Sequence, residues 1–192
     1  PVDANGHALM NAIIWMDSRG AEYAHEVTNG LIKVDGYSVF KMLKWVKLTG
    51  GGPTKSGKDS ISHILYLKNK LPEIYVKAYK FLEPKDFLNA WISGRICSSF
   101  DSITVHWVTD NRDISNIKYS DDLLKMAGVE REKLPDLLPP NSIVGKVSKE
   151  FADAFELDEA CVVVSGSPDT HSAAIGSGAV HDFEPHLYIG TS

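Results

Sequence analysis

The stretch that decides the fold is VVVSGSPDTHSAAIG, residues 162–176. A β-branched apolar run bounded by turn residues reads as a buried strand. Ser165, Gly166, Ser167 and Pro168 then turn the chain. Asp169 therefore arrives at the strand's C-terminal edge, where open α/β sheets bind their ligands. The small residues Ser172, Ala173, Ala174 and Gly176 let the next helix pack tightly and leave room beside the carboxylate. A carboxylate so placed can take a proton from a hydroxyl. It can equally cap the helix that begins near Thr170, and this stretch alone leaves both roles open.

Working outward, strands and helices alternate, which makes the class α/β. AIIWM (12–16) reads as a short buried strand after the turn DANGH, with Asp17 or Ser18 capping the helix that follows. Helices are expected across YSVFKMLKWVKLTG, from Ser60 or Ser62 through ISHILYLKNKL, and from Pro72 onward. Others are expected in FLEPKDFLNAWISG up to Gly94, in SDDLLKMAGV and in KEFADAFEL. SSFDSITV reads as a loop, and LPDLLPPNSIVGKV as a turn-rich connection. HLYIGTS reads as a last strand running into a glycine turn.

The 192 residues are 43% hydrophobic and 23% charged, enough for a domain with a real core. The net charge is −5 and no basic run is present, so nucleic acid and anionic membrane are poor expectations as partners. No apolar run reaches membrane-spanning length. PVDANGHAL has neither the basic nor the apolar region of a signal peptide. Cys97 and Cys161 each lie beside apolar residues and read as reduced, buried thiols of a cytoplasmic protein. The chain opens without Met and stops in YIGTS, so a piece of a longer chain is expected.

GPTKSGKD (52–59) imitates the GxxxxGK part of a phosphate-binding loop. Asp59 stands where a Ser or Thr would hold magnesium, and the preceding KMLKWVKL is not a buried strand. A flexible lysine-bearing loop is expected instead. Trp15, Asp17 and Arg19 fall on one face if the backbone is extended, which would make a sugar platform of an indole and a charge pair. Spacing alone gives more weight to a core Trp, a capping Asp and a solvated Arg. Tyr188-Ile-Gly-Thr-Ser192 ends in a turn whose N–H groups could cradle phosphate. The histidines show no metal-ligand spacing, and His171 alone is kept as a site neighbour. No GxSxG is present, so a nucleophile-elbow hydrolase is unsupported.

Taken in order, these segments resemble the FGGY carbohydrate kinase family. AIIWMDSR is similar to its W-x-D-x-R signature, and KFLEPKDFLNAWISGRICSSFDSIT to a stretch in which an Asp, here Asp86, opens a helix. EKLPDLLPPNSIVGKV resembles its LP…VG segment. VVVSGSPDTHSAAIGSGAV resembles the segment with the catalytic aspartate, and YIGTS a phosphate-binding turn. The resemblance implies a ribonuclease-H-like, actin-like fold with a mixed sheet flanked by helices. Residues 1–180 would be the sugar-binding domain without its first strands, and 181–192 the start of the ATP-binding domain.

The implied activity is transfer of the γ-phosphoryl of ATP, with Mg2+, to a sugar or polyol hydroxyl. Asp169 would be the general base, and Trp15, Asp17, Arg19, Lys85, Asp86, Thr170 and His171 would bind substrate. Gly190, Thr191 and Ser192 would meet the nucleotide phosphates. Asp-Thr-His at 169–171 lies nearest the ribulokinase habit, whereas DANGH, IIWMDSR and LEPKDFL are closer to xylulose kinases, so xylulose comes first. Two departures matter: Thr170 is the residue after the base, and the acidic-Gly-Thr phosphate turn, the substrate-contacting stretch before DANGH and most of the ATP-binding domain are missing, so the chain alone is expected to be inactive. A non-catalytic sugar-binding or regulatory module of the same fold, and an unrelated α/β domain, are the competing readings. Family members often form dimers or tetramers, but no interface is legible here.

Overall fold

The computed structural model describes residues 1–187 and residue 189. Tyr188, Gly190, Thr191 and Ser192, which include the expected phosphate turn, lie outside the described residues. A largely irregular segment leads to helix α1 (Ala21–Thr28), the hairpin β1 (Lys33–Val34) and β2 (Tyr37–Ser38), and α2 (Val39–Thr49). Then come α3 (Ser60–Lys70), α4 (Pro72–Lys77), α5 (Pro84–Ser93), β3 (Cys97–Ser99) and the short α6 (Phe100–Ile103). The chain continues through β4 (Thr109–Asp110), β5 (Lys118–Tyr119), α7 (Asp121–Ala127) and β6 (Asp136–Leu138). It ends with β7 (Ile143–Lys146), α8 (Lys149–Phe155), β8 (Val162–Val164) and α9 (Asp169–Gly176). Pairing is mixed: β3–β6 is parallel, while β4–β5 and β7–β8 are antiparallel.

Local chemistry sets most helix ends. The hydroxyls of Ser38, Ser120 and Ser148 accept from Lys41, Leu123 and Phe151 backbone N–H groups, capping α2, α7 and α8. Pro72 and Pro84 open α4 and α5, and Gly50, Gly94 and Gly128 end α2, α5 and α7.

Two cores result. The larger joins α1, α2, α3, α4 and α7 around Trp45, Ile61, Ile64, Leu67, Leu123 and Leu134. Each such side chain contributes about 2 kcal/mol by leaving water. The smaller lies under β7, β8 and α8, with Cys97, Val144, Val147, Ala152 and Val163. Helix α5 runs between them: Phe87 faces a cavity on the larger side, and Ile92 packs on the smaller core.

Several expectations change. Residues 12–16 are not a strand; Asp17 N–H bonds Ile14 O at 2.9 Å to close a turn, and Ile14, Trp15 and Met16 are exposed. Among the described residues no strand pairs with this run, and Ala12, Ile13, Ile14 and Trp15 line a cavity. Helix α1 starts after Gly20, because the Asp17 carboxylate is taken by Arg19. SSFDSITV is no loop: Ser98 and Ser99 belong to β3, paired with β6, and α6 follows. Within β8 only Val163 is buried, since one strand face meets the smaller core while Val162 and Val164 on the other face are exposed. His186 and Leu187 adopt no strand. Cys97 is buried but Cys161 is exposed, at the turn leading into β8.

The loop that imitates a phosphate-binding loop is held fast. Asp59 Oδ2 accepts from Thr54 N–H at 2.9 Å and its Oδ1 from Trp107 Nε1 at 2.7 Å. Gly57 lies against Gly20 and Ala21 so closely that no Cβ fits. A partly buried tryptophan and the start of α1 thus both contact the loop that composition marks as flexible.

Candidate active site

The turn that delivers Asp169 begins at Ser165, which is 2% exposed. Its N–H donates to Ser142 O at 2.9 Å, and its hydroxyl to the Pro139 and Pro140 carbonyls. Its own carbonyl accepts from Lys85 Nζ at 2.7 Å and from Asn89 Nδ2 at 2.8 Å. Gly166 then takes φ +68°, a left-handed turn that favours glycine.

Pro168 is the N-cap residue of α9 and Asp169 is its first residue. The Asp169 carboxylate accepts from Thr170 N–H at 2.8 Å and Thr170 Oγ1 at 3.3 Å. It therefore sits exposed at a positive helix end, where a carboxylate is favoured. Thr170 and His171 are exposed beside it.

Lys85 and Asp86 lie behind this turn. Asp86 is 1% exposed; it accepts from Lys85 Nζ at 2.8 Å and from the Ser98 hydroxyl. Lys85 Nζ also reaches Ser99 Oγ at 2.9 Å. An ammonium has three donors, and all of them are engaged within the protein.

On the other side of α5 lies a cavity of about 700 Å3, a size suited to a small ligand. Its walls include Ile13, Trp15, Phe81, Phe87 and Trp107. Lys58 stands over the Trp15 ring, 5.9 Å from its centroid. Trp107 has φ +58°, unusual for a bulky residue, and is held there because its carbonyl accepts from Trp45 Nε1 and its indole N–H donates to Asp59.

Glu83 and His106 add polar groups to the cavity. Glu83 Oε1 accepts from Ser60 Oγ at 2.7 Å and lies 2.6 Å from His106 Nε2. Burial pushes the Glu83 carboxyl up, but the His106 hydrogen bond and charge, with Ser60 and His63, outweigh it and hold the pKa at about 2. A carboxyl lowered in the folded state stabilises the fold above its ordinary value of 4.5 and loses that contribution as pH falls toward 2. The Tm gap between wild type and Glu83→Gln is therefore expected to be full at neutral pH and to close below about pH 4.5. A gap that does not vary with pH in a thermal-melt series counts against this pairing.

The expected site residues thus separate. Trp15 lines the cavity; Lys85 and Asp86 support the Ser165 turn; Asp169, Thr170 and His171 lie beyond it. Asp169 is not among the residues lining the cavity. Asp17 and Arg19 do not share a face with Trp15 as an extended backbone would require. Arg19 Nε and Nη2 bond Asp17 Oδ2 at 2.9 and 2.6 Å, Nη1 reaches Tyr66 Oη at 3.3 Å, and the guanidinium holds the Asp17 carboxyl below its usual range. Glu83, His106, Lys58 and Trp107 carry no spacing signal, since their partners are distant in sequence.

The fold defined by these elements is shared with solved sugar and polyol kinases. A ligand-bound xylulose kinase from Lactobacillus acidophilus matches 93% of this chain and 34% of its own, with TM-score 0.75 and 18% identity. A glycerol kinase from Plasmodium falciparum with ADP matches 92% of this chain and 33% of its own, with TM-score 0.73 and 20% identity. The class is the ribonuclease-H-like, actin-like ATPase fold.

The chain belongs to the FGGY family of carbohydrate kinases, whose N-terminal domain model matches residues 1–176. Xylulose kinase from Lactococcus lactis is 26% identical over the whole of this chain, which covers 35% of that protein. Gluconokinase from Bacillus licheniformis is 25% identical, again over the whole of this chain and 34% of its own length. The chain thus spans about a third of these relatives.

Proposed function

We propose that the protein carrying this chain transfers the γ-phosphoryl group of ATP to a sugar hydroxyl, with xylulose the first substrate to test and gluconate the second. The observation that supports this reading most is Asp169: an exposed carboxylate at a helix N-terminus, delivered by an anchored turn at a strand end. Asp169 would accept the proton of the attacking hydroxyl, whose oxygen then bonds phosphorus as the bond to ADP breaks. Phosphoryl transfer asks little covalent help of a protein, so the rest of catalysis is positioning and charge neutralisation.

Trp15 would offer an aromatic wall to the sugar, and Thr170 and His171 polar contacts beside the base. The Asp17–Arg19 pair would stiffen the segment that carries Trp15. Gly190, Thr191 and Ser192 would meet the nucleotide phosphates, and the boundary with the ATP-binding domain would fall near residue 180. Magnesium would neutralise phosphate charge when bound with ATP. Among the described residues no cluster of three or more His, Cys, Asp or Glu is placed to hold a metal.

The test is an ADP-release assay of the full-length protein against a panel of ketopentoses, aldonates and polyols. Sugar-dependent ADP release, greatest with xylulose or gluconate, is expected. A folded protein silent across the panel would count against the kinase reading and in favour of a non-catalytic sugar-binding module.

A further inference from the structure

Ser165 is the last residue fixed on every side before the chain turns toward Asp169. Its N–H and hydroxyl are tied to the 139–142 segment, and its carbonyl is tied to α5 alone. Lys85 and Asn89, one helical turn apart, lie on the same face of α5. Both reach this single carbonyl.

Among the described residues, no hydrogen bond from outside the unit reaches residues 166–168. Gly166, with φ +68°, brings no side chain to lock it. Ser167 bonds only Ser172 Oγ, at 2.7 Å, within the same unit. Among the described residues, helix α9 buries no residue, and only Ala173 and Ala174 are partly covered.

We propose that Lys85, assisted by Asn89, is a positioning residue: by pinning the Ser165 carbonyl it sets where the turn places the Asp169 carboxylate. Lys85 acts through the protein and not on the substrate, because its ammonium donors are all engaged by Asp86, Ser99 and Ser165. Asp86, buried and bonded on its other oxygen by Ser98, keeps the ammonium in place. The inference rests on reading Asp169 as the base, but the anchor itself can be tested apart from that reading.

The experiment compares full-length wild type with Lys85→Met, Lys85→Arg and Asn89→Leu by steady-state kinetics and by amide hydrogen exchange. In Lys85→Met, kcat is expected to fall roughly 10- to 100-fold with the sugar KM within about twofold, the cost of displacing a catalytic group by a fraction of an ångström to an ångström. Lys85→Arg, which keeps donors for the carbonyl, is expected to recover part of kcat. Asn89→Leu keeps the ion pair and is expected to lose kcat about three- to tenfold; it decides the matter if Lys85→Met does not fold.

Exchange in Lys85→Met is expected to accelerate across residues 166–172 and not across α2 or α3. An unchanged kcat in an active enzyme, or a parallel loss of kcat, KM and global protection without rescue by Arg, overturns the positioning role. If wild type is inactive on every sugar, the kinase reading fails. The exchange result then decides the anchor alone, and unaltered exchange at 166–172 overturns it.

Discussion

In the full-length enzyme, Asp169→Asn is expected to lower turnover about 10²- to 10⁴-fold, the range that a positioned general base contributes, while sugar affinity stays near that of wild type. Asparagine keeps the size and can still accept the Thr170 N–H bond through its carbonyl oxygen, so α9 and its turn should be preserved. It cannot take a proton from the attacking hydroxyl. Asp169 is exposed and outside both cores, so a loss of activity would not be a loss of folding. The measurement is kcat by ADP release beside sugar binding by calorimetry. Near-normal turnover in Asp169→Asn would remove the carboxylate from the mechanism.

The largest stability effect is expected at Gly57. A Cβ there would stand 2.1 Å from Ala21 N and 2.4 Å from Ala21 Cα, with φ at +74°. Backbone atoms at the start of α1 cannot step aside cheaply, because Gly20 is itself pressed against Ser62, with 2.7 Å to the nearest atoms from an added Cβ. Gly57→Ala should therefore cost about 4 kcal/mol or more, the upper range for a single substitution, or roughly 10 °C in Tm for a domain of this size. The control is Gly178→Ala, with φ +86° and nothing within 4 Å of an added Cβ. It should cost only about 1 kcal/mol from backbone conformation. Equal shifts at the two positions in thermal melts would show that the contact with Ala21 does not matter.

Gly57 also marks where sequence reading failed for a physical reason. GPTKSGKD has the composition of a mobile loop, and composition reports only the local cost of ordering. What orders it is remote: the Trp107 indole and the start of α1. Residues 12–16 failed in the opposite sense. Their apolar run fits a strand, but a strand needs a partner edge, and the run meets a cavity instead. The helices were legible because their signals are local. Ser38, Ser120 and Ser148 cap backbone groups three residues on, and Gly50, Gly94 and Gly128 end helices through their own dihedrals.

By itself, then, the sequence determined the α/β alternation, most helix ends, the family and the place of Asp169 at the mouth of a strand–turn–helix unit. These follow from periodicity, capping and turn chemistry, which act over a few residues. The tertiary structure alone decided what surrounds that unit. It joined Lys85 to a carbonyl 80 residues away and set Glu83 against His106. Such pairings depend on how two cores bring distant segments together across α5, and no local propensity encodes them.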